Sequence, residues 1–111
     1  MCGIAGVFRH EGLTKNDWKG LIYAQEELRS RGPDAQGEFA DKFCALAHTR
    51  LSIIDPSPRS NQPFISPCGR YWLTFNGEIY NYRELKNQFT DLQTESDTEV
   101  FLRILTKYGK A

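Results

Sequence analysis

Net charge is the first thing this sequence lacks: fourteen Lys and Arg balance fourteen Asp and Glu among 111 residues. With no surplus of either sign, no field draws in nucleic acid or an anionic membrane, and neither is expected as a partner. No apolar run approaches the roughly 20 residues of a membrane span, and the first residues lack the basic opening of a secretory signal. The expected location is therefore cytoplasmic. Cysteine is scarce: Cys2, Cys44 and Cys68 are odd in number and form no CxxC pair, so neither a disulfide framework nor a zinc knuckle is suggested. His10 and His48 complete no ligand spacing with them, and no metal is expected. A Gly-rich phosphate loop is missing as well, which leaves these residues no means of binding ATP. The expectation is no cofactor in this chain.

What is present suits a soluble domain, with 40% hydrophobic and 25% charged residues. Residues 3–8 read as a short buried strand of small and apolar residues. Thr14 can cap a helix carrying Trp18, Leu21, Ile22, Gln25 and Leu28 at helical spacing, ending near Ser30 ahead of Arg31-Gly32-Pro33-Asp34. Residues 37–40 and 43–50 read as a hairpin. Its second strand puts Phe43, Ala45, Ala47 and Thr49 on one face and Cys44, Leu46, His48 and Arg50 on the other. Pro56, Pro58, Pro63 and Pro67 predict an ordered loop between Asp55 and Gly69, without sheet. A strand over 71–75 closes at Asn76-Gly77. Asn81 with Glu84, and Ser96 with Glu99, are capping-box patterns, and the second opens a helix with Val100, Phe101, Ile104, Leu105 and Tyr108 in a stripe. The fold class is α+β. That stripe needs a partner layer, so the chain is expected to be the front part of a larger domain.

The second residue carries the most chemistry. Initiator methionine is trimmed before a small residue, which would make Cys2 the first residue, with a thiol and a free α-amine on one Cα. An α-amine titrates at about 7.7–8.0, near enough to neutrality to act as a base for its own side chain. Other candidates have ordinary local readings: Arg50 a surface ion pair, Asn76-Gly77 a type I′ turn, Asp97 a first-turn helix acid, Arg31-Gly32-Pro33-Asp34 a turn. Together with Cys2 they meet the needs of one reaction. Thiolate attack on a carboxamide creates an oxyanion, for which Asn76 offers a side-chain amide and Gly77 a backbone N–H. An amino-acid substrate has an α-carboxylate that matches Arg50 and an α-ammonium that matches Asp97 or Glu78.

Six stretches then resemble one family in order: Met1–Gly6, Arg31–Asp34, Ala47–Asp55, Asn61–Pro63, Phe75–Tyr82 and Thr94–Glu99. The chain is similar to the glutaminase domain of class II glutamine amidotransferases, most closely that of glutamine-dependent asparagine synthetases. The resemblance implies the αββα four-layer sandwich of N-terminal-nucleophile hydrolases, of which residues 1–111 would be the N-terminal portion, truncated at the C-terminus. It implies Cys2 as nucleophile, Asn76 and Gly77 as oxyanion hole, Arg50 at the glutamine α-carboxylate, and Asp97 with Glu78 around the α-amine. Backbone groups at Leu51 and Ile53 would line the same pocket.

The substrate partner implied is glutamine. In whole synthetases a C-terminal domain uses ATP and magnesium to adenylate aspartate and receives ammonia through an internal tunnel. A homodimer of the longer protein is compatible with this. Two alternatives remain open at this point: a glutaminase serving a sugar or peptide acceptor, and a truncated module without catalysis.

Overall fold

The computed structural model describes residues 2–51 and 57–109. Strand β1 (Gly3–Phe8) is followed by helix α1 (Lys15–Glu27) and the hairpin strands β2 (Ala35–Ala40) and β3 (Cys44–Arg50). The three strands form one antiparallel sheet in the order β1-β3-β2. Its register pairs Ala5 with Ala47 and Val7 with Ala45, and these small residues form a shallow floor on which Leu21 of α1 packs beside Leu13. Small side chains let the helix approach closely, and Ala45 and Ala47 are fully shielded as a result.

The start of α1 follows the capping expectation. Thr14 Oγ1 accepts from the Asp17 amide at 3.2 Å, and Asp17 Oδ2 accepts from the Thr14 amide at 2.8 Å. Arg9 grips the same carboxylate through two bonds of 2.7 and 2.8 Å. The guanidinium first, and then the Thr14 amide, hold the Asp17 carboxyl well below the usual carboxylate range. Gln25 is not part of an apolar stripe. Its side-chain Nε2 donates to the Gly37 carbonyl and to Glu38, tying α1 to β2.

Strand β1 is buried on one side only. Ile4, Gly6 and Phe8 point away from α1 and are exposed, Phe8 by 70%. The reason is position: β1 lies at the sheet edge, whereas the second sheet covers the β2 side, where Phe39 stacks on Trp72 with ring centroids 3.9 Å apart. That second sheet pairs β4 (Phe64–Ile65) with β5 (Trp72–Leu73). A loop throughout 55–69 is therefore incorrect at Phe64–Ile65. These two residues sit between Pro63 and Pro67 and keep their own N–H groups, and Ser66 extends the pairing by donating to the Tyr71 carbonyl at 2.9 Å. The strand expected over 71–75 shortens to Trp72–Leu73. The Gln62–Pro63 peptide is cis.

Helices α2 (Tyr82–Lys86) and α3 (Asp97–Tyr108) complete the described strands and α-helices. Neither predicted capping box closes. Asn81 sits at φ −100°, ψ 28°, away from the extended geometry a cap needs, and its side chain makes no cap bond. Ser96 does cap, accepting from the Thr98 amide at 3.1 Å. Glu99 turns back to the Gln93 and Thr94 amides and the Thr94 hydroxyl instead. The buried side of α3 comprises Val100, Leu102 and the polar first turn, while Leu105 and Tyr108 are exposed. Phe101 meets Phe75 edge-on at 5.0 Å, and α3 packs against β4. The described residues are thus a mixed α/β arrangement with two antiparallel sheets.

Candidate active site

Antiparallel pairing of β1 with β3 sets Gly3 against Thr49, which brings the head of one strand to the tail of the other. Cys2 therefore lies beside Arg50 and Leu51. The Leu51 amide donates to Cys2 Sγ at 3.3 Å, and Arg31 Nε donates to the Cys2 carbonyl at 3.3 Å. Arg31-Gly32-Pro33-Asp34 is a packed support for this corner and not merely a turn. Pro33 bridges to Arg50, the Asp34 amide donates to the Arg50 carbonyl at 2.9 Å, and Gly32 lies flat on the strand backbone. A Cβ at position 32 would stand 2.3 Å from the Thr49 carbonyl carbon, so only glycine fits.

Arg50 is not a surface ion pair. It is 6% exposed, and its Nη1 donates to the Ser57 carbonyl at 2.7 Å and to Asn61 Oδ1 at 2.6 Å. Asn76-Gly77 is not a type I′ turn either. That turn needs positive φ at both central residues, and among the described residues only Gly12 and Gly69 have it. The pair continues from β5 in ordinary backbone geometry, with the Phe75 ring filling the space a Cβ at 77 would occupy, 2.8 Å from it. Asp97 does sit in the first turn of α3, yet it is 5% exposed and its Oδ2 accepts from the Ile79 amide at 3.0 Å.

These segments enclose one cavity of about 410 Å³, within the range of roughly 300–1,000 Å³ usual for small-molecule sites. Cys2, Arg50 and Leu51 line it from the β1–β3 corner, Asn76, Gly77 and Glu78 from the stretch after β5, and Asp97 from α3. Arg50 faces a lining that also carries the carboxylates of Glu78 and Asp97, so both signs are present. Ile53, expected at the same wall, lies outside the described residues. The cavity is also lined by Ser60, Gln62, Phe75, Tyr80, Ser96 and Thr98, none of which the sequence placed in the site. Asn61-Gln62-Pro63 stood out as a motif, but its contacts are long-range and no local spacing shows them.

His48 shares the inner face of β3 with Arg50. It is 1% exposed, and among the described residues neither ring nitrogen makes a hydrogen bond of good geometry. Burial drives its pKa from 6.5 down to about 4; the Phe75 backbone acts in the opposite direction and Arg50 adds to the lowering. Among the described residues no cluster of three or more metal-ligating side chains occurs. No described helix is long and apolar enough to cross a membrane.

Comparison with known proteins adds one family match and three relatives. A family model described as a glutamine amidotransferase domain matches residues 1–111. Asparagine synthetase [glutamine-hydrolyzing] 1 of Bacillus subtilis (strain 168) is 40% identical over 114 residues, covering 97% of this chain and 18% of that protein. The asparagine synthetase [glutamine-hydrolyzing] of Zea mays is 38% identical, over 99% of this chain and 19% of its own length. Amidase chry2 of Gibberella zeae is 37% identical, over 98% of this chain and 18% of its own length. The chain thus spans less than a fifth of the length of these relatives.

Proposed function

The chain belongs to the glutamine amidotransferase domain family, and on that footing we propose that it hydrolyses glutamine to glutamate and ammonia through a Cys2 thioester. The observation that carries this reading is the convergence of Cys2, Asn76, Gly77, Arg50 and Asp97 on one cavity from separate segments. With Met1 removed, the α-amine of Cys2, directly or through a water, takes the thiol proton. The sulfur attacks the glutamine side-chain carbonyl, and the C=O pair moves onto oxygen. Asn76 Nδ2 and the Gly77 N–H donate to that oxyanion, each such donor being worth roughly 2.7–4 kcal/mol of transition-state stabilisation. Collapse of the intermediate expels ammonia, which leaves with the proton the amine had taken. Water then hydrolyses the γ-glutamyl thioester and restores the thiol.

Arg50 would hold the α-carboxylate. Its Nη1 already donates to Ser57 and Asn61, which orients the guanidinium plane before substrate arrives. Asp97 and Glu78 would take the α-ammonium. Asp97 Oδ2 is anchored by Ile79, so its carboxylate needs no reorientation. Layering of α1, the three-stranded sheet, the two-stranded sheet and α3 supports assigning the αββα sandwich of N-terminal-nucleophile hydrolases. Three free cysteines suit a reducing, cytoplasmic compartment.

The acceptor follows from likeness: we assign the ammonia to an asparagine-synthetase-type partner domain, in which ATP and magnesium would act. The described residues offer no ligand cluster for the metal, and no step above runs through either group. The likeness to an amidase at similar identity is the observation that favours a second reading, a different acceptor for the same ammonia. Glutamate and ammonia release from glutamine, measured in the presence of the partner domain with and without aspartate and ATP, tests both. Turnover that yields asparagine supports the first; turnover without it supports the second; no glutamine turnover removes both.

A further inference from the structure

Gln62 touches both halves of the cavity wall. It is 8% exposed, its Oε1 accepts from the Phe75 amide at 2.6 Å, and its Nε2 donates to Thr98 Oγ1 at 3.3 Å. The amide can face only this way, because the Phe75 N–H can only donate. Phe75 immediately precedes Asn76, and Thr98 immediately follows Asp97. A second tie closes the frame: Asp97 Oδ2 receives the Ile79 amide, so the stretch 75–79 is pinned at one end by Gln62 and at the other by Asp97.

The Gln62 backbone is itself fixed by the first sheet. Its carbonyl rests on Gly37 of β2, where a Cβ would lie only 2.0 Å from the carbonyl oxygen. Sheet, oxyanion segment and helix terminus thus meet at one residue, and no other described residue bonds to both Phe75 and Thr98. We propose that Gln62 is a positioning residue, setting the oxyanion donors Asn76 and Gly77 at a fixed height and distance from the ammonium-binding turn of α3. It need not touch the reacting atoms. This rests on the glutaminase reading and adds to it a residue that acts through another.

The chemical consequence follows from geometry. Oxyanion donors act when they sit about 2.7–3.1 Å from the oxygen as it becomes charged. A shift of about 1 Å can cost on the order of a hundredfold in rate. The shorter and better anchored bond is the one to Phe75, so the larger effect belongs to the chemical step. The Thr98 bond bears on the Asp97 turn, and its loss belongs to binding.

Steady-state glutamine hydrolysis by the parent, Gln62→Met, Gln62→Glu and Thr98→Val tests this. Gln62→Met removes the acceptor at nearly constant shape and is expected to lower kcat about ten- to hundredfold with KM within about threefold. Gln62→Glu keeps an acceptor for the Phe75 amide and is expected to recover most of that kcat. Thr98→Val is expected to raise KM several-fold with kcat near that of the parent. Equal impairment by Met and Glu, kcat in Gln62→Met within about threefold of the parent, or a loss confined to KM would each overturn the assignment. If Gln62→Met does not fold, Thr98→Val decides: a loss in kcat rather than KM overturns it. A parent that releases no ammonia from glutamine defeats the glutaminase reading and this assignment with it. An active parent with indifferent variants defeats this assignment alone.

Discussion

The Leu51 amide and the Cys2 sulfur lie 3.3 Å apart although 49 residues separate them in the chain. Pairing of β1 with β3 makes this contact, and it holds Cys2 in the cavity lining before any substrate enters. Placement of the Cys2 sulfur is thereby tied to sheet register. A slip of one residue would send Cys2 to the opposite face.

Arg50 and Asn76 should separate binding from chemistry. Arg50→Lys keeps the charge but loses the planar fork, and is expected to raise the glutamine KM roughly ten- to hundredfold, matching about 1.5–3 kcal/mol for charge-assisted bonds. It should also lower the unfolding midpoint, since Nη1 anchors Ser57 and Asn61. Asn76→Ala is expected to reduce kcat by about a hundred- to a thousandfold with little change in KM. Kinetics showing the reverse split would exchange or remove the two roles.

Gly32→Ala tests the corner that supports Cys2. The added methyl meets backbone at 2.3 Å, and backbone cannot rotate away. A loss of stability of at least about 1–3 kcal/mol is expected from urea unfolding. Parent-like stability would mean that the Arg31–Asp34 segment is not packed on β3 as described.

His48 predicts the acid behaviour of the fold. Its folded pKa of about 4 lies below the ordinary 6.5, so between those values the unfolded chain binds the extra proton. The contribution is fully present above pH 6.5 and is lost as pH falls towards 4. The expected slope is at most about 1.4 kcal/mol per pH unit. Urea unfolding of the parent and His48→Gln across this range checks it, and equal slopes in both would remove His48 as the cause.

Local signals were legible and long-range ones were not. Thr14 caps α1 as expected, and the alternation from Cys44 to Arg50 fixes the strand faces. Phe64–Ile65 was hidden because proline density masks two residues whose own amides are free to pair. Asn76-Gly77 reads locally as a turn because its role depends on Phe75 and on a cavity built from distant segments. Glu99 leaves its box since the Gln93 and Thr94 amides and the Thr94 hydroxyl offer it three donors nearby. Cys2, Arg50 and Asp97 could be grouped from reaction chemistry, whereas Gln62 required coordinates.

Cys44 and Cys68 should be dispensable. Cys44 lies within β3 and Cys68 is exposed beside Ser66, and neither lines the cavity. Cys44→Ala and Cys68→Ser are expected to keep glutamine turnover within about threefold of the parent, as substitutions remote from the reacting atoms do. A loss as deep as that of Cys2→Ala would mean that a different thiol carries the reaction.

The most direct measurement is mass spectrometry of the protein quenched in acid during glutamine turnover. The expected result is an N-terminal peptide that begins at Cys2, without Met1, carries a γ-glutamyl thioester on the sulfur, and disappears in Cys2→Ala together with ammonia release. Ammonia released with no adduct on Cys2, or with the adduct on Cys44 or Cys68, would contradict it.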